Sequence, residues 1–244
     1  MLHHAPLFRC YFGNTQDALH PQEYLRLNTV PDILSLDPFA QHKQRMALRR
    51  LIFLRQTHST DGIVISDSHS AESMAAFAQS GDYLITNQQH VGIGVMTADC
   101  LPVILIDTVH NAIGVAHAGW RGTVAGISTH MLADMHTAFG SSPEQIQAYF
   151  GPTAQRCCYQ VSPSFLTQLE HLPFKDQLIT ERSNGAERAL YFDNLLCNKL
   201  LLQSAGIKKE ALCDAYAVCT MCDHSFYSHR RGDKGRQMTV VTLV

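Results

Sequence analysis

Very little of this chain is charged, and no part of it stays apolar for long. Charged residues make up 16% of the 244 positions, 19 Lys and Arg against 21 Asp and Glu, for a formal net charge of −2. Without a basic excess there is no surface suited to neutralising a phosphate backbone, so nucleic-acid polymers are not expected as partners and small molecules are. The longest apolar runs, such as residues 103–106, have the length of a strand and fall far short of a membrane span. The opening Met1-Leu2-His3-His4-Ala5-Pro6 lacks the positive segment, apolar stretch and small-residue cleavage site of a secretory signal, so a cytoplasmic protein is expected. There the eight cysteines should be reduced thiols, mostly buried, and one with a task must be a ligand or a nucleophile. Repeats, low-complexity tracts and linkers are also missing. With hydrophobic residues at 45%, a single domain over residues 1–244 is the expectation.

What is present is a strand-rich pattern. The first fifty residues, punctuated by Pro21, Pro31 and Pro38, are the least legible, although residues 38–54 read as a helix running into a strand. Residues 63–65 and 82–86 read as short strands. Three β-rich runs at 92–98, 101–107 and 112–118 follow with very short connections, which favour antiparallel pairing. Helical spacing covers 123–139, with Thr123 as cap and Gly140 as stop, and again 193–205 before Gly206. Further strands are predicted at 146–150, 212–218 and 238–244. Strands in hairpins with few, separate helices argue for an α+β fold rather than a doubly wound sheet.

Three segments hold the chemistry: Gln56-Thr57-His58-Ser59, Thr97-Ala98-Asp99-Cys100 and His117-Ala118-Gly119-Trp120-Arg121-Gly122. If a turn centres between Val109 and His110, His117 pairs with Pro102 and Cys100 becomes its diagonal neighbour on the same face. His58 must then arrive from elsewhere. Two imidazoles and a thiolate would leave zinc a fourth, open position, the arrangement of a catalytic site. Spacing alone leaves the other reading standing, in which Cys100 is a buried strand cysteine and the two histidines are ordinary members of a set of fourteen.

These motifs resemble those of the YfiH, or laccase-domain, family. The likeness extends through Gly81-Asp82 with Thr86, Gly151-Pro152, Cys158-Tyr159 with Val161, Cys219-Thr220, and Phe226-Tyr227-Ser228 running into Arg230-Arg231 and Gly235-Arg236. It spans residue 55 to the C-terminus, and the segment from His117 to Gly122 is its most specific part. The resemblance implies a mixed β-sandwich with helices on its outer faces, in four layers α/β/β/α. It implies zinc held by His58, Cys100 and His117, and phosphorolysis of adenosine, inosine or methylthioadenosine with adenosine deamination as a second activity. The family's older name, polyphenol oxidase, implies copper, but no H-x-H pair of the multicopper kind occurs here. Gly13-Asn14-Thr15 stands where the family often has Gly-Gly-Val-Ser, although Leu27-Asn28 matches the Leu-Asn that follows. Tyr159-Gln160-Val161-Ser162 replaces Tyr-Glu-Val-Gly, and Ser59 replaces a glycine.

Other residues carry an expectation and a plainer alternative. Arg121 enters a predicted helix, where free N–H groups favour an anion, and could hold phosphate or pack on Trp120. Arg230, with Arg231 and Arg236, could meet phosphate or ribose, or form a solvated charge run. Asp99 could orient a metal-bound histidine or cap a turn. Gln56 could contact substrate from the same face as His58, or pack. Cys219 is placed near the active site by the resemblance, Cys219-Thr220-Met221-Cys222 is read as non-metal for want of a second ligand pair, and Cys157-Cys158 are read as packing residues. Two other functions remain: Cys100 as a thiolate nucleophile activated by His117 in a metal-free amide hydrolase of peptidoglycan-editing type, and a non-catalytic binding domain with a closed structural zinc.

Overall fold

The computed structural model describes residues 1–20, 33–184 and 187–244; Pro21, Pro31 and the Leu27-Asn28 pair lie outside them. The chain opens on a hairpin of β1 (Leu2–His4) and β2 (Phe8–Phe12), then α1 (Ala40–Arg45) runs into β3 (Arg50–Phe53), as the pattern of residues 38–54 predicts. Next come β4 (Gly62–Ile65), α2 (Ser68–Ser73), β5 (Tyr83–Thr86), β6 (Val91–Thr97), β7 (Leu101–Asp107) and β8 (Ala112–Ala118). The rest comprises α3 (Trp120–Val124), α4 (Ile127–Phe139), β9 (Ile146–Phe150), β10 (Gln160–Val161), β11 (Ile179–Asn184), β12 (Glu187–Phe192), α5 (Asn194–Ser204), β13 (Leu212–Cys213) and β14 (Gln237–Leu243). Among the described residues no helix is long and apolar enough to cross a membrane.

The strands form a five-stranded sheet in the order β1-β2-β14-β6-β3, a six-stranded sheet β13-β9-β7-β8-β5-β4 and a small sheet β10-β12-β11. Both large sheets are mixed, with parallel pairs β3/β6, β4/β5 and β13/β9 among antiparallel ones. Ile52, Ile93 and Val241 of the first sheet interleave with Leu84, Ile104 and Ile113 of the second to make the central core. The outer face of the six-stranded sheet packs Ile85, Leu105 and Ala116 on Met131 and Met135 of α4 and Leu202 of α5. On the other side Phe53, Met238 and Val240 meet Phe39 and Met46, which bracket α1. The layers therefore run helix, sheet, sheet, helix, the expected α/β/β/α sandwich, and each of the two large sheets is covered on both faces.

Burial on both faces also explains where the structure departs from the sequence pattern. Every residue of β6, β7 and β8 is buried, so these strands show continuous apolar runs without the alternation that would reveal their facing. The expected antiparallel set holds for β7 and β8, with Pro102 opposite His117. It fails for β6, which lies between β14 and β3 in the other sheet. Ala98-Asp99-Cys100 carries the chain across, and Asp99 turns it with a left-handed φ of 81°. The single helix expected over 123–139 is two helices, because Gly126 adopts φ 83° and starts α4; Thr123 lies inside α3 and bonds the Ala118 carbonyl instead of capping. Gly140 ends α4 at φ 76°, as expected. Of residues 212–218 only Leu212–Cys213 pairs as a strand.

Candidate metal centre and active site

The crossing segment, the end of β8 and the turn after β3 converge at one end of the sandwich. Cys100 stands just before β7, and the Pro102–His117 register puts its thiol diagonal to the His117 imidazole. His58 arrives from the turn after β3. The ligand atoms of His58, Cys100 and His117 all lie within 4.8 Å of one another. Cys100 Sγ is 4.0 Å from His58 Nε2, and the two imidazoles meet edge to face with centroids 4.8 Å apart. His117 is buried, Cys100 half-buried and His58 exposed, so the cluster opens to solvent on the His58 side.

A carboxylate organises this cluster, and it is Asp82. Its Oδ2 accepts the backbone N–H and hydroxyl of both Thr57 and Ser59, while Oδ1 accepts the His58 N–H at 3.0 Å. The turn is thus wrapped around the carboxylate, which holds His58 at a left-handed φ of 62° against a backbone strain of about 1–3 kcal/mol. Oδ1 also accepts Nδ1–H of His117 at 2.8 Å, which leaves His117 Nε2 to face Cys100. Asp82 is wholly buried. Burial opposes its ionisation, but the hydrogen bonds from His117, Ser59 and Thr57 and the charge of His117 outweigh it and hold the carboxyl well below its ordinary range. Burial likewise opposes a charged Cys100, yet the charge and hydrogen bond of His117, with those of His58, bring the thiol down to about 6. For His117 burial is again overcome, by the Cys100 charge and the Asp82 bond, and its pKa rises to about 9. Without metal the site is a thiolate beside an imidazolium.

Asp99 meets neither histidine. Its carboxylate accepts the Thr220 hydroxyl at 2.7 Å, the Ser228 hydroxyl at 3.0 Å and the Arg230 N–H at 2.7 Å, and its carbonyl accepts the Thr153 hydroxyl at 2.8 Å. It anchors the crossing segment, and so positions Cys100, while the role of orienting a histidine falls to Asp82. The sequence offered Asp82 only as half of a Gly-Asp pair in the resemblance, since nothing local ties it to a histidine 35 residues on.

The cluster forms one end of a cleft of about 390 Å³, lined by Leu54, Arg55, Gln56, His58, Phe77, Met96, Ala98, Cys100, His117, His229 and Arg236. That size suits a small molecule. Gln56 is on the wall, but its amide is spent on the Met96 backbone, accepting the N–H at 2.7 Å and donating to the carbonyl at 2.8 Å. Arg121, Arg230 and Cys219 are outside this cleft. Arg121 is exposed with its guanidinium over the Trp120 ring at 4.5 Å. Arg230 lies over Tyr159 at 4.8 Å and donates to the Gln160 carbonyl at 2.6 Å. Both arginines and Cys100 act electrostatically on Tyr159. Sequence reasoning missed Arg55, Phe77 and His229; Phe77 carried a signal only in three dimensions, a left-handed φ of 63° on a bulky residue.

Cys219 instead joins Cys222, Cys157 and Cys158, whose sulfurs all lie within 4.8 Å of one another. Cys157 and Cys222 are exposed and Cys158 is half-buried, so the adjacent pair is not core packing. The second pair that Cys219 and Cys222 lacked in sequence is supplied from more than sixty residues away.

Gly119 brings the backbone close against the cluster. A Cβ there would stand 2.9 Å from His58 Cδ2 and 3.2 Å from Cys100 Sγ, although its φ of −64° suits any residue. Gly119→Ala should therefore leave the fold intact and displace His58. The expected result is a kcat/KM lower by on the order of 10²-fold, with an almost unchanged melting temperature, in paired kinetic and thermal assays.

The layers and the open His/Cys cluster define an α+β sandwich with a solvent-facing candidate metal centre. The chain belongs to the family described as multi-copper polyphenol oxidoreductase laccase, whose profile matches residues 38–244. It is 30% identical over 202 residues to a Bacillus subtilis (strain 168) protein named purine nucleoside phosphorylase YlmD, covering 80% of this chain and 72% of the relative. It is 32% identical over 185 residues to a protein of an unknown prokaryotic organism named adenosine deaminase RL5, covering 74% of this chain and 70% of the relative. The solved structure of the Bacillus licheniformis hypothetical protein YfiH superposes with a TM-score of 0.73 at 28% identity, covering 97% of this chain and 93% of that one.

Proposed function

We propose that the protein is a zinc-dependent purine nucleoside phosphorylase acting on adenosine, inosine and methylthioadenosine, with adenosine deamination as a second activity. The observation that carries this reading is the approach of His58, Cys100 and His117 to within 4.8 Å of one another at the end of a largely apolar cleft. Two imidazole nitrogens and a thiol already biased toward thiolate fit zinc, and the exposed side of His58 leaves a position for substrate. When bound there, zinc supplies a Lewis acid with an open coordination position.

The remaining work belongs to the chain's own residues. Asp82 fixes the orientation of His117, and Asp99 fixes the segment that presents Cys100. Leu54, Phe77, Met96 and Ala98 form an apolar wall that excludes water and takes the purine face. Arg55, His229 and Arg236 supply the polar side of the cleft, for ribose hydroxyls and phosphate. Arg121 and Arg230 offer a second place for the anion beside Tyr159. In phosphorolysis a phosphate oxygen bonds to ribose C1′ as the bond from C1′ to the purine nitrogen breaks, and the departing base takes a proton, a role we assign to His229 at the rim. Partners in this reading are small molecules, a nucleoside and phosphate, met in the cytoplasm.

The thiolate–imidazolium pair of Cys100 and His117 favours a second reading, the metal-free amide hydrolase, because a nucleophilic cysteine needs the same low pKa. Metal removal separates the two. Dialysis against a strong chelator is expected to abolish base release from inosine, and added zinc to restore it. Undiminished base release from metal-free protein would remove zinc from the reaction, and hydrolysis of an amide substrate by that protein, lost on alkylation of Cys100, would make Cys100 the nucleophile.

A further inference from the structure

Apart from the cleft, the fold assembles a second group of four sulfurs. Cys157 and Cys158 lie in the turn between β9 and β10, and Cys219 and Cys222 in the turns before β14. Their sulfurs are 3.4 Å apart for Cys157–Cys219, 3.7 Å for Cys157–Cys222 and 3.2 Å for Cys158–Cys222. Thiolates at ~2.3 Å from a tetrahedral zinc ion stand roughly 3.8 Å from one another, close to these separations, whereas a disulfide needs ~2.05 Å. Cys157 and Cys222 each touch two other sulfurs. That is the arrangement of four groups around a shared centre, not of two separate pairs.

The surroundings suit the surplus negative charge that four thiolates leave on a divalent ion. Cys219 Sγ faces the backbone N–H groups of Gln155, Cys222 and Met221. The Arg182 guanidinium donates to the Cys157 and Arg156 carbonyls at 2.9 and 3.1 Å, and Arg231 donates to the Thr220 carbonyl at 2.8 Å. One arginine is thus fastened to the backbone of each cysteine-bearing turn.

We propose that Cys157, Cys158, Cys219 and Cys222 form a second, closed metal site, a zinc tetrathiolate that clamps the turn at 155–159 to the turn at 219–222. Four protein ligands leave no position for substrate, so the site is structural. Its reach extends to the cleft through two hydroxyls: Thr153 and Thr220, bridged to each other's segments, hold the Asp99 carbonyl and carboxylate at 2.8 and 2.7 Å. Asp99 precedes Cys100. Zinc in the clamp therefore steadies the turn that presents the Cys100 thiol, without touching anything in the cleft.

The test is elemental analysis and cobalt titration of the full chain, purified under reducing conditions, for wild type, Cys222→Ser and Cys100→Ser. Cys222→Ser is expected to carry one zinc per chain fewer than wild type and to melt at a lower temperature. Cobalt-loaded wild type and Cys100→Ser should show the intense ligand-field and thiolate charge-transfer bands of a tetrathiolate, and Cys222→Ser should lose them. Equal zinc in wild type and Cys222→Ser would overturn the proposal. Should Cys222→Ser fail to fold, the wild-type cobalt spectrum decides, since a folded protein without tetrathiolate bands has no such site.

Discussion

Cys100→Ser is expected to lower turnover of inosine and adenosine on the order of 10³-fold or more, about 4 kcal/mol of barrier at ~1.36 kcal/mol per factor of ten. Cys100 supplies the one sulfur of the open cluster, and a neutral hydroxyl gives zinc neither its charge nor its soft donor. The chain should still fold, because the thiol is half-buried and the β7–β8 pairing does not depend on it. The thiol itself has a second readout. With its pKa brought to about 6, metal-free protein at neutral pH should hold Cys100 mostly as thiolate, about thirtyfold more than an ordinary cysteine with a pKa of ~8.5. Alkylation of the metal-free protein should accordingly titrate with a midpoint near pH 6, falling away below it, and zinc should protect. A midpoint near that of free cysteine would remove the imidazolium partnership from the account.

Asp82→Asn should be the most damaging change outside the ligands. The carboxylate takes hydrogen bonds from three consecutive backbone N–H groups, two hydroxyls and the His117 ring. An amide keeps one acceptor oxygen and turns an NH2 toward the remaining donors. Breaking such a buried pair costs about 3–5 kcal/mol, and loss of the group that orients a metal-binding histidine lowers metal affinity about 10–100-fold. The stability difference should also depend on pH. Because the folded carboxyl is held below its ordinary value of ~3.9, its contribution is complete above that pH and is lost as pH falls through the folded value. Urea melts of the two proteins should differ widely at pH 7 and converge in strong acid. His117 works in the opposite sense: with its pKa raised to about 9, its contribution is complete in mildly acidic solution and is lost as pH rises through 9.

How much of this was legible in the chain depended on whether a feature was local. The β7–β8 hairpin was readable to the register, since a short turn fixes the pairing; Asp107 closes that turn by accepting the Val109 and His110 N–H groups. Gly140 was readable for the same reason. The destination of β6 was not, because strands buried on both faces lose the alternation that assigns a side. The break at Gly126 hid inside apolar spacing that continues across two helices. Strands β11 and β12 could have been found, for Asn184-Gly185, beginning at the last residue of β11, is a hairpin signal in the sequence. Within the candidate site, His58, Cys100 and His117 came from motif resemblance, with only the last two linked by geometry that spacing could suggest. Asp82 and the four-cysteine group rest on contacts between distant segments, where sequence spacing carries no information.

The most direct test of the central claim is the phosphate dependence of inosine cleavage by the purified, zinc-containing protein. Hypoxanthine and ribose 1-phosphate released in equal amounts, and only when phosphate is present, are the predicted result. Cleavage that proceeds equally without phosphate, or no release of base under any condition from protein that retains its zinc, would contradict it.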